Sequence, residues 1–492
     1  MNFAVFIPEL ILILTACVVV FGEWFFKPVD KIKEKRGRNI GLAALVGLCL
    51  SFGSLVGFKS VGFGITEGFF ASDKATFHQS FLLDDFAVYF KMIIVLSSIL
   101  TVLISFRYVS EKIRNSGEFY SLICMATLGG MFLSSANEMI TFFLGVELLS
   151  ISSYVLTCMN KDNPKSSESA LKYFVVGGLS SALTLYGFSI MFGLTGAIDF
   201  PTVAAGLSKY SQPLNVILVI ATVMSFSGLA YKIAAAPFHM WAPDVYEGAP
   251  TPVTAFLSIT SKIAGFAAFA RFIQIFTNEL ANQLLTLVVI VSIITMCAGN
   301  FLAIIQKNVK RMFAFSSIAH AGYILIGIIP LMKGNYDDFT SVLFYLTTYI
   351  FMNIGAFGAI MYFSKHTGST DIDSFAGVAK KSPFIAFVFS CCLVSLAGLP
   401  PFGGFTGKLY LFVSAFNSGY AWLAFIGALN SVVSLYYYVK VMKAMYLREP
   451  EESITWEAPN AALAMAAIIS LLGLLVLFLA PAPFLQMAKI GF

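Results

Sequence analysis

The sequence predicts an all-α polytopic membrane protein of about fourteen transmembrane helices, with two inverted five-helix repeats that each contain a broken helix. Three observations carry this. Hydrophobic residues make up 58% of the 492 and charged residues only 12%, whereas soluble chains are about half apolar and a quarter charged. Apolar runs near twenty residues recur along the whole chain. Two of those runs are interrupted by proline and glycine beside a lysine. Thirty-one basic and 26 acidic residues cannot cover the surface of a soluble protein this large. The mean hydropathy of +0.84 agrees. The net charge of +5 comes from short hydrophilic gaps rather than a basic patch, so nucleic acid is not an expected partner. A soluble enzyme and a disordered scaffold are excluded on the same grounds.

A bilayer core of roughly 30 Å needs about 20 apolar residues per helix. Such runs fall near 4–26, 40–58, 86–106, 119–136, 139–159, 170–195, 213–237, 251–277, 284–305, 309–330, 337–363, 383–416, 420–446 and 458–480. Strand-like alternation is absent, which argues against a β-barrel. The opening residues have no basic region and no small-residue cleavage site, so they read as a retained first span. The longest gap, from Lys59 to Asp85, is too short for a domain. The chain divides into N-terminal helices (1–118), a first repeat (119–277), a second (284–447) and a C-terminal helix (448–492). Spans four to eight and nine to thirteen each carry the broken helix fourth. An odd number of spans per unit inverts the second unit relative to the first.

Basic residues set the orientation. Twenty Lys and Arg lie on the side of the first gap and six on the opposite side. Both termini are therefore expected outside, with the first gap in the cytoplasm. The remaining five basic residues, assigned to no gap and placed inside spans, are Lys91, Lys172, Lys232, Lys262 and Lys408.

A charge at mid-membrane costs about 2.5–3.5 kcal/mol on insertion scales and is a functional candidate unless it reaches the interface. Lys91 and Lys172 lie near span ends, where snorkelling or structural pairing accounts for them. Glu147 lies about 12 Å into its span at 1.5 Å per residue, too deep to snorkel, and Lys262 is central by the same measure. Lys232 precedes Pro237 and Pro243, while Lys408 follows Gly398, Pro400, Pro401, Gly403, Gly404 and Gly407. Proline removes a backbone donor and glycine permits unwinding. Such breaks are tolerated only where the freed backbone meets protein or water. His320, near the middle of span ten, can accept on one ring nitrogen and donate from the other, which suits a relay between lysines. His239 organises the first break equally well, and His78 and His366 lie in gaps. The seven cysteines sit in apolar stretches with no CxxC, so they read as buried thiols rather than disulfide or cluster ligands. Glycines 62, 64 and 68 have the wrong spacing and context for a dinucleotide fold.

The block AYKIAAAPFHMWAPDVYEGAPTPVTA (230–255), running into Ser261 and Lys262, resembles subunit N of the proton-translocating NADH-quinone oxidoreductases, respiratory complex I. Supporting stretches are FLGVEL (143–148), LKYF (171–174), VKRMFAFSS (309–317), DIDSFAGVAKKSP (371–383) and LAGLPPFGGF (396–405). The resemblance implies a proton pathway in which Glu147 pairs with Lys232, Lys262 is the central relay, His320 joins the halves and Lys408 belongs to the second broken helix. It implies no cofactor in this subunit, with flavin, iron–sulfur clusters and quinone in partner subunits. Implied partners are the other membrane-arm subunits, homologous antiporter-like ones included, and the lipid of a bacterial inner membrane. The alternative is a subunit of a cation/proton antiporter, whose residues look similar at the Pro-Phe-His-x-Trp core. A third reading is a non-conducting subunit whose charges lock helices together.

The residues themselves allow the chemistry. Burial disfavours a charged lysine and a nearby carboxylate favours it. Two unit charges at 4 Å interact by about 4 kcal/mol at an effective dielectric near 20. Separating Glu147 from Lys232 is therefore enough to turn a proton holder into a proton donor.

Overall fold

Backbone groups in hydrocarbon must satisfy one another, and a helix does so within a single segment. The computed structural model describes residues 3–25, 33–61, 80–210, 215–276, 278–450 and 456–488, and among them every expected span meets a helix. In chain order these are α1 (Ile7–Phe25), α2 (Lys33–Val61), α3 (Asp85–Lys112), α4 (Ser116–Ser135), α5 (Met139–Thr157), α6 (Pro164–Thr195), the short α7 (Phe200–Leu207), α8 (Val216–Lys232) and α9 (Trp241–Gly248). They continue as α10 (Thr251–Ile273), α11 (Asn278–Ile304), α12 (Val309–Met332), α13 (Tyr336–Thr367), α14 (Pro383–Ala397), α15 (Gly403–Asn417), α16 (Ala421–Leu447), α17 (Ala461–Leu479) and α18 (Pro481–Ala488). Ten of the described helices are long and apolar enough to cross a membrane. The chain is a multi-pass, all-α membrane protein with broken helices. Most of the long gap after Lys59, and His78 within it, lies outside the described residues.

Two expected spans are shorter or divided. The seventh stops at Lys232, well before Pro237, and the twelfth splits into α14 and α15 around the Gly/Pro run. Each break turns on one left-handed residue, Ala234 (φ 57°) in the first and Gly398 (φ 85°) in the second. Alanine in that region is strained, and such strain collects at functional sites.

Helices α3, α10, α12 and α13 are buried nearly all round, whereas α2, α6, α16 and α17 present apolar faces outward. A helix apolar on every side belongs in the centre of such a bundle. Close approach of backbones is reserved for small residues, which drive helix association in lipid. A Cβ at Gly129 on α4 would lie 2.5 Å from the Leu149 amide nitrogen and 3.0 Å from the Gly145 carbonyl of α5. Gly129→Ala is expected to force α4 and α5 apart at a cost of about 1–3 kcal/mol, read as a lower thermal midpoint in detergent.

The thiols depart from expectation. Cys124, Cys391 and Cys392 are buried, but Cys17 and Cys49 are exposed and Cys158 and Cys297 lie between. An apolar thiol on an outward membrane face costs nothing in lipid, so apolar surroundings in the sequence did not require burial.

Candidate functional site: a buried row of amines

The four basic groups expected at the centre are all there, each 1–5% exposed: Lys232, Lys262, His320 and Lys408. Lys232 is the last residue of α8, and its Nζ donates to Ser150 Oγ on α5 at 3.0 Å. Glu147 lies one turn before Ser150, half-buried, near the outward stripe of Leu144 and Ile151. Its Oε1 has no hydrogen-bond partner. The direct Glu147–Lys232 contact implied by the resemblance is therefore not formed. Ser150 takes the ammonium, and Glu147 acts on Lys232 through space.

Lys262 follows a π-helical turn, Leu257–Ser261, inside α10. Such turns often mark functional positions. Its Nζ donates to the Ser317 carbonyl and, at 2.5 Å, to Ser317 Oγ on α12. Three residues on, Gly265 lets α10 close on α8, where an added Cβ would meet Lys232 Cγ at 3.4 Å. The two lysine-bearing helices touch beside the Lys232 stem.

Hydroxyls gather around Lys262 and the histidine. Ser317 Oγ accepts from Tyr349 OH at 3.1 Å and meets Tyr246 OH at 3.3 Å. His320 is held between two phenols, Tyr345 OH at 2.5 Å from Nδ1 and Tyr438 OH at 3.2 Å from Nε2. Tyr438 OH also meets Ser316 Oγ at 2.5 Å. A neutral imidazole donates from one nitrogen and accepts on the other, so this setting suits a group that takes a proton on one side and gives it up on the other. Lys262 and Lys408 both act electrostatically on His320.

Lys408 shows why its helix is broken. Its Nζ donates to the Leu396 carbonyl at 2.8 Å, the Ala397 carbonyl at 3.2 Å and Ser431 Oγ at 2.8 Å, and lies 4.7 Å from the Tyr323 ring centre. The two carbonyls belong to the last turn of α14, unmatched because the helix stops there. Gly398 is required beside them, since a Cβ would lie 2.8 Å from Lys408 Cδ. At the first break the Ala236 amide donates to Thr295 Oγ1 at 2.9 Å. Protein groups, not lipid, meet the freed backbone at both places.

The other candidates lie elsewhere. Lys172 is exposed and bridges Glu168 at 2.8 Å and Asp244 at 2.9 Å. Lys91 is fully buried and paired with Glu9 at 2.7 Å. Both are pairing lysines. His239 is buried at the first break with neither ring nitrogen hydrogen-bonded, while His366 stacks on Trp456 at 4.7 Å. Beside α9, Asp244 and Glu247 gather Lys165, Lys172 and Arg311 at 2.6–3.1 Å. Partial burial pushes the Asp244 carboxyl up, but Lys172 and Arg311 outweigh it and hold it below the usual carboxylate range. Lys165 and Arg311 do the same for Glu247. Lys310 closes this mouth by donating to the Glu247 and Ala249 carbonyls at 2.8 and 2.6 Å. A polar cavity of about 330 Å³ opens there, lined by Lys165, Glu247, Asn308, Lys310 and Asp371. Among the described residues no group of three or more His, Cys, Asp and Glu is placed to hold a metal ion.

Sequence reasoning missed Ser150, Ser317, Tyr246, Tyr345, Tyr349, Tyr438 and Ser431. Tyr345 and Tyr349 stand one turn apart on α13, a spacing visible in the sequence. What it faces is not.

Residues 136–434 match the family described as NADH:quinone oxidoreductase/Mrp antiporter, transmembrane. The chain is 42% identical over 442 residues to NADH-quinone oxidoreductase subunit N of Trichlorobacter lovleyi, covering 89% of this chain and 90% of that one. Among solved structures it is similar to a chain of respiratory complex I from Thermus thermophilus, with a TM-score of 0.78 and 29% identity over 98% of this chain and 99% of that one. A chain of the Mrp complex from Dietzia has the same fold, with a TM-score of 0.82 at 20% identity over 99% and 96%. The breaks, the buried amines and these likenesses agree, and the chain belongs to the NADH:quinone oxidoreductase/Mrp antiporter family of membrane subunits, in its subunit N branch.

Proposed function

We propose that this chain is a proton-translocating, antiporter-like subunit in the membrane arm of a bacterial NADH:quinone oxidoreductase, carrying protons through Glu147, Lys232, Lys262, His320 and Lys408. One observation carries the reading: three buried amines and an imidazole, on helices that pack together, are each held by hydroxyls or backbone carbonyls rather than locked by carboxylates. Lys232, Lys262 and Lys408 each donate to serine or backbone oxygens, and none is in an ion pair among the described residues. A lysine held only by neutral acceptors keeps its proton weakly. A change in the field at one amine then decides whether it gives the proton up. Lys232 releases toward Lys262, the proton passes by Ser317 and the phenols to His320, and Lys408 sends it out. Glu147, half-buried and short of a partner, is where a neighbouring subunit biases the first amine. Coupling is electrostatic, so oxidation of NADH and reduction of quinone take place in partner subunits.

The same reading has fourteen spans, both termini on the outer face of the inner membrane, and inverted units at 119–277 and 284–447 flanked by 1–118 and 448–492. The fourth position of each break in its unit supports it.

Lys232→Met in the assembled complex tests the function. Proton translocation per NADH is expected to fall while NADH oxidation by an artificial acceptor persists. Unchanged translocation would leave only the helix-locking reading. The likeness to the Mrp chain makes a cation/proton antiporter the competing assignment. Sodium-dependent proton flux, together with purification alongside antiporter-type subunits and no flavin, would favour that one.

A further inference from the structure

We infer that α3 is the positioning element for the Lys262 helix: Asp84 gripping Arg271 at one end and Ser97 holding Thr260 at the other fix the register of α10, and with it the seat of the Lys262 ammonium on Ser317. The inference deepens the relay reading above and rests on it.

Helix α3 lies in the N-terminal segment, outside both repeats and carrying none of the relay groups, yet it is buried along nearly its whole length against the centre of the bundle. It meets α10 in two polar contacts. Thr260 belongs to the π-helical turn, two residues before Lys262, and its Oγ1 lies 2.7 Å from Ser97 Oγ. Ser97 gives its own proton to the Ile94 carbonyl at 2.8 Å, so Thr260 is the donor. A π-turn accommodates an extra residue, and its register depends on what surrounds it.

At the far end Arg271 sits nine residues beyond Lys262, about 13.5 Å along the helix. Its Nη1 and Nη2 donate to the two Asp84 oxygens at 2.7 and 2.6 Å, its Nε donates to the Ser134 carbonyl at 3.0 Å, and its guanidinium lies 4.3 Å from the Phe86 ring centre. A planar fork matched to a carboxylate fixes orientation as well as position. Asp84 is itself held, because Oδ1 caps α3 at the Ala87 amide at 2.7 Å. On α3 between these contacts, Lys91 pairs with Glu9 of α1 at 2.7 Å, which pins the splint from behind. A slip of α10 by one residue turns Lys262 by about 100°, away from Ser317. Neither Ser97 nor Asp84 touches Lys262, so both act through the helix that carries it.

The test uses the whole complex carrying Ser97→Ala, Ser97→Thr, Asp84→Asn or Lys262→Met, with proton translocation per NADH measured across the pH range of activity and assembly followed by native electrophoresis. Ser97→Ala is expected to assemble normally and to lose translocation by roughly fivefold, the equivalent of one hydrogen bond. Its alkaline limb moves to lower pH, because Ser317 then holds the ammonium form less well. Ser97→Thr restores both, and Asp84→Asn shifts the profile in the same direction. A Ser97→Ala complex with unaltered translocation and pH profile overturns the inference, as does a loss that tracks assembly alone with the profile unmoved. If Lys262→Met loses translocation and Ser97→Ala does not, only the positioning role falls. If Lys262→Met translocates normally, the relay falls and the inference with it.

Discussion

Lys262→Met is expected to lower proton translocation by the assembled complex about a hundredfold or more through this subunit, the range in which a positioned proton-transfer group acts. Methionine fills the same slot without a proton to carry, and the groups it strands are few. Lys262 Nζ touches only Ser317, whose Oγ keeps Tyr349 and Tyr246 as partners. The fold therefore loses little while the transfer loses its central carrier. The sharper variant is Lys262→Arg. Arginine keeps the charge in place but never releases it, since its guanidinium stays protonated at any accessible pH. If the charge merely locks helices, arginine restores function. If the lysine hands protons on, arginine fails as methionine does. Reconstituted complex with a pH-sensitive dye inside the vesicle measures both, and wild-type translocation by Lys262→Arg sinks the relay.

How much of this was legible beforehand differs by scale. Span positions follow from bilayer thickness and apolar run length, which are properties of one segment at a time. Both breaks were legible because proline and glycine act locally, although where α8 stops was not: the helix ends at Lys232, five residues ahead of Pro237. The buried lysines were legible as misfits in hydrocarbon. Their partners were not, because a serine or tyrosine in a membrane helix is unremarkable until its face is known. Ser317 comes to lie against Lys262, and Tyr438 against His320, only when α10, α12, α13 and α16 are brought together. Arg271 was counted with the six basic residues opposite the first gap, and only the tertiary structure shows it buried on Asp84. Glu147 is the harder case: depth along the helix argued for an internal partner or a water cavity, and its Oε1 is buried with no hydrogen-bond partner while the residue as a whole is only partly buried.

Glu9→Gln is expected to be the most destabilising polar substitution in the N-terminal segment, at about 3–5 kcal/mol. Glu9 is 1% exposed and Lys91 not at all; they meet at 2.7 Å, and neither has a hydrogen-bond partner besides. Glutamine keeps one neutral acceptor but not the charge, so the ammonium stays in the core with only that oxygen, the Phe81 ring 4.4 Å from Nζ and the field of Asp84 to offset it. The cost arises from stranding the partner rather than from losing an attraction. Glu9→Gln combined with Lys91→Met should then recover most of the loss, because two neutral groups of similar volume replace a pair whose desolvation already consumed much of its attraction. Lys172→Ala supplies the contrast. Its pairs with Glu168 and Asp244 are solvent-exposed, and such pairs are worth about 0–1 kcal/mol. The thermal midpoint of the detergent-solubilised complex is the measurement. If Glu9→Gln and Lys172→Ala lower it equally, or the double variant falls as far as Glu9→Gln alone, burial of the Glu9–Lys91 pair does not decide its energetic weight.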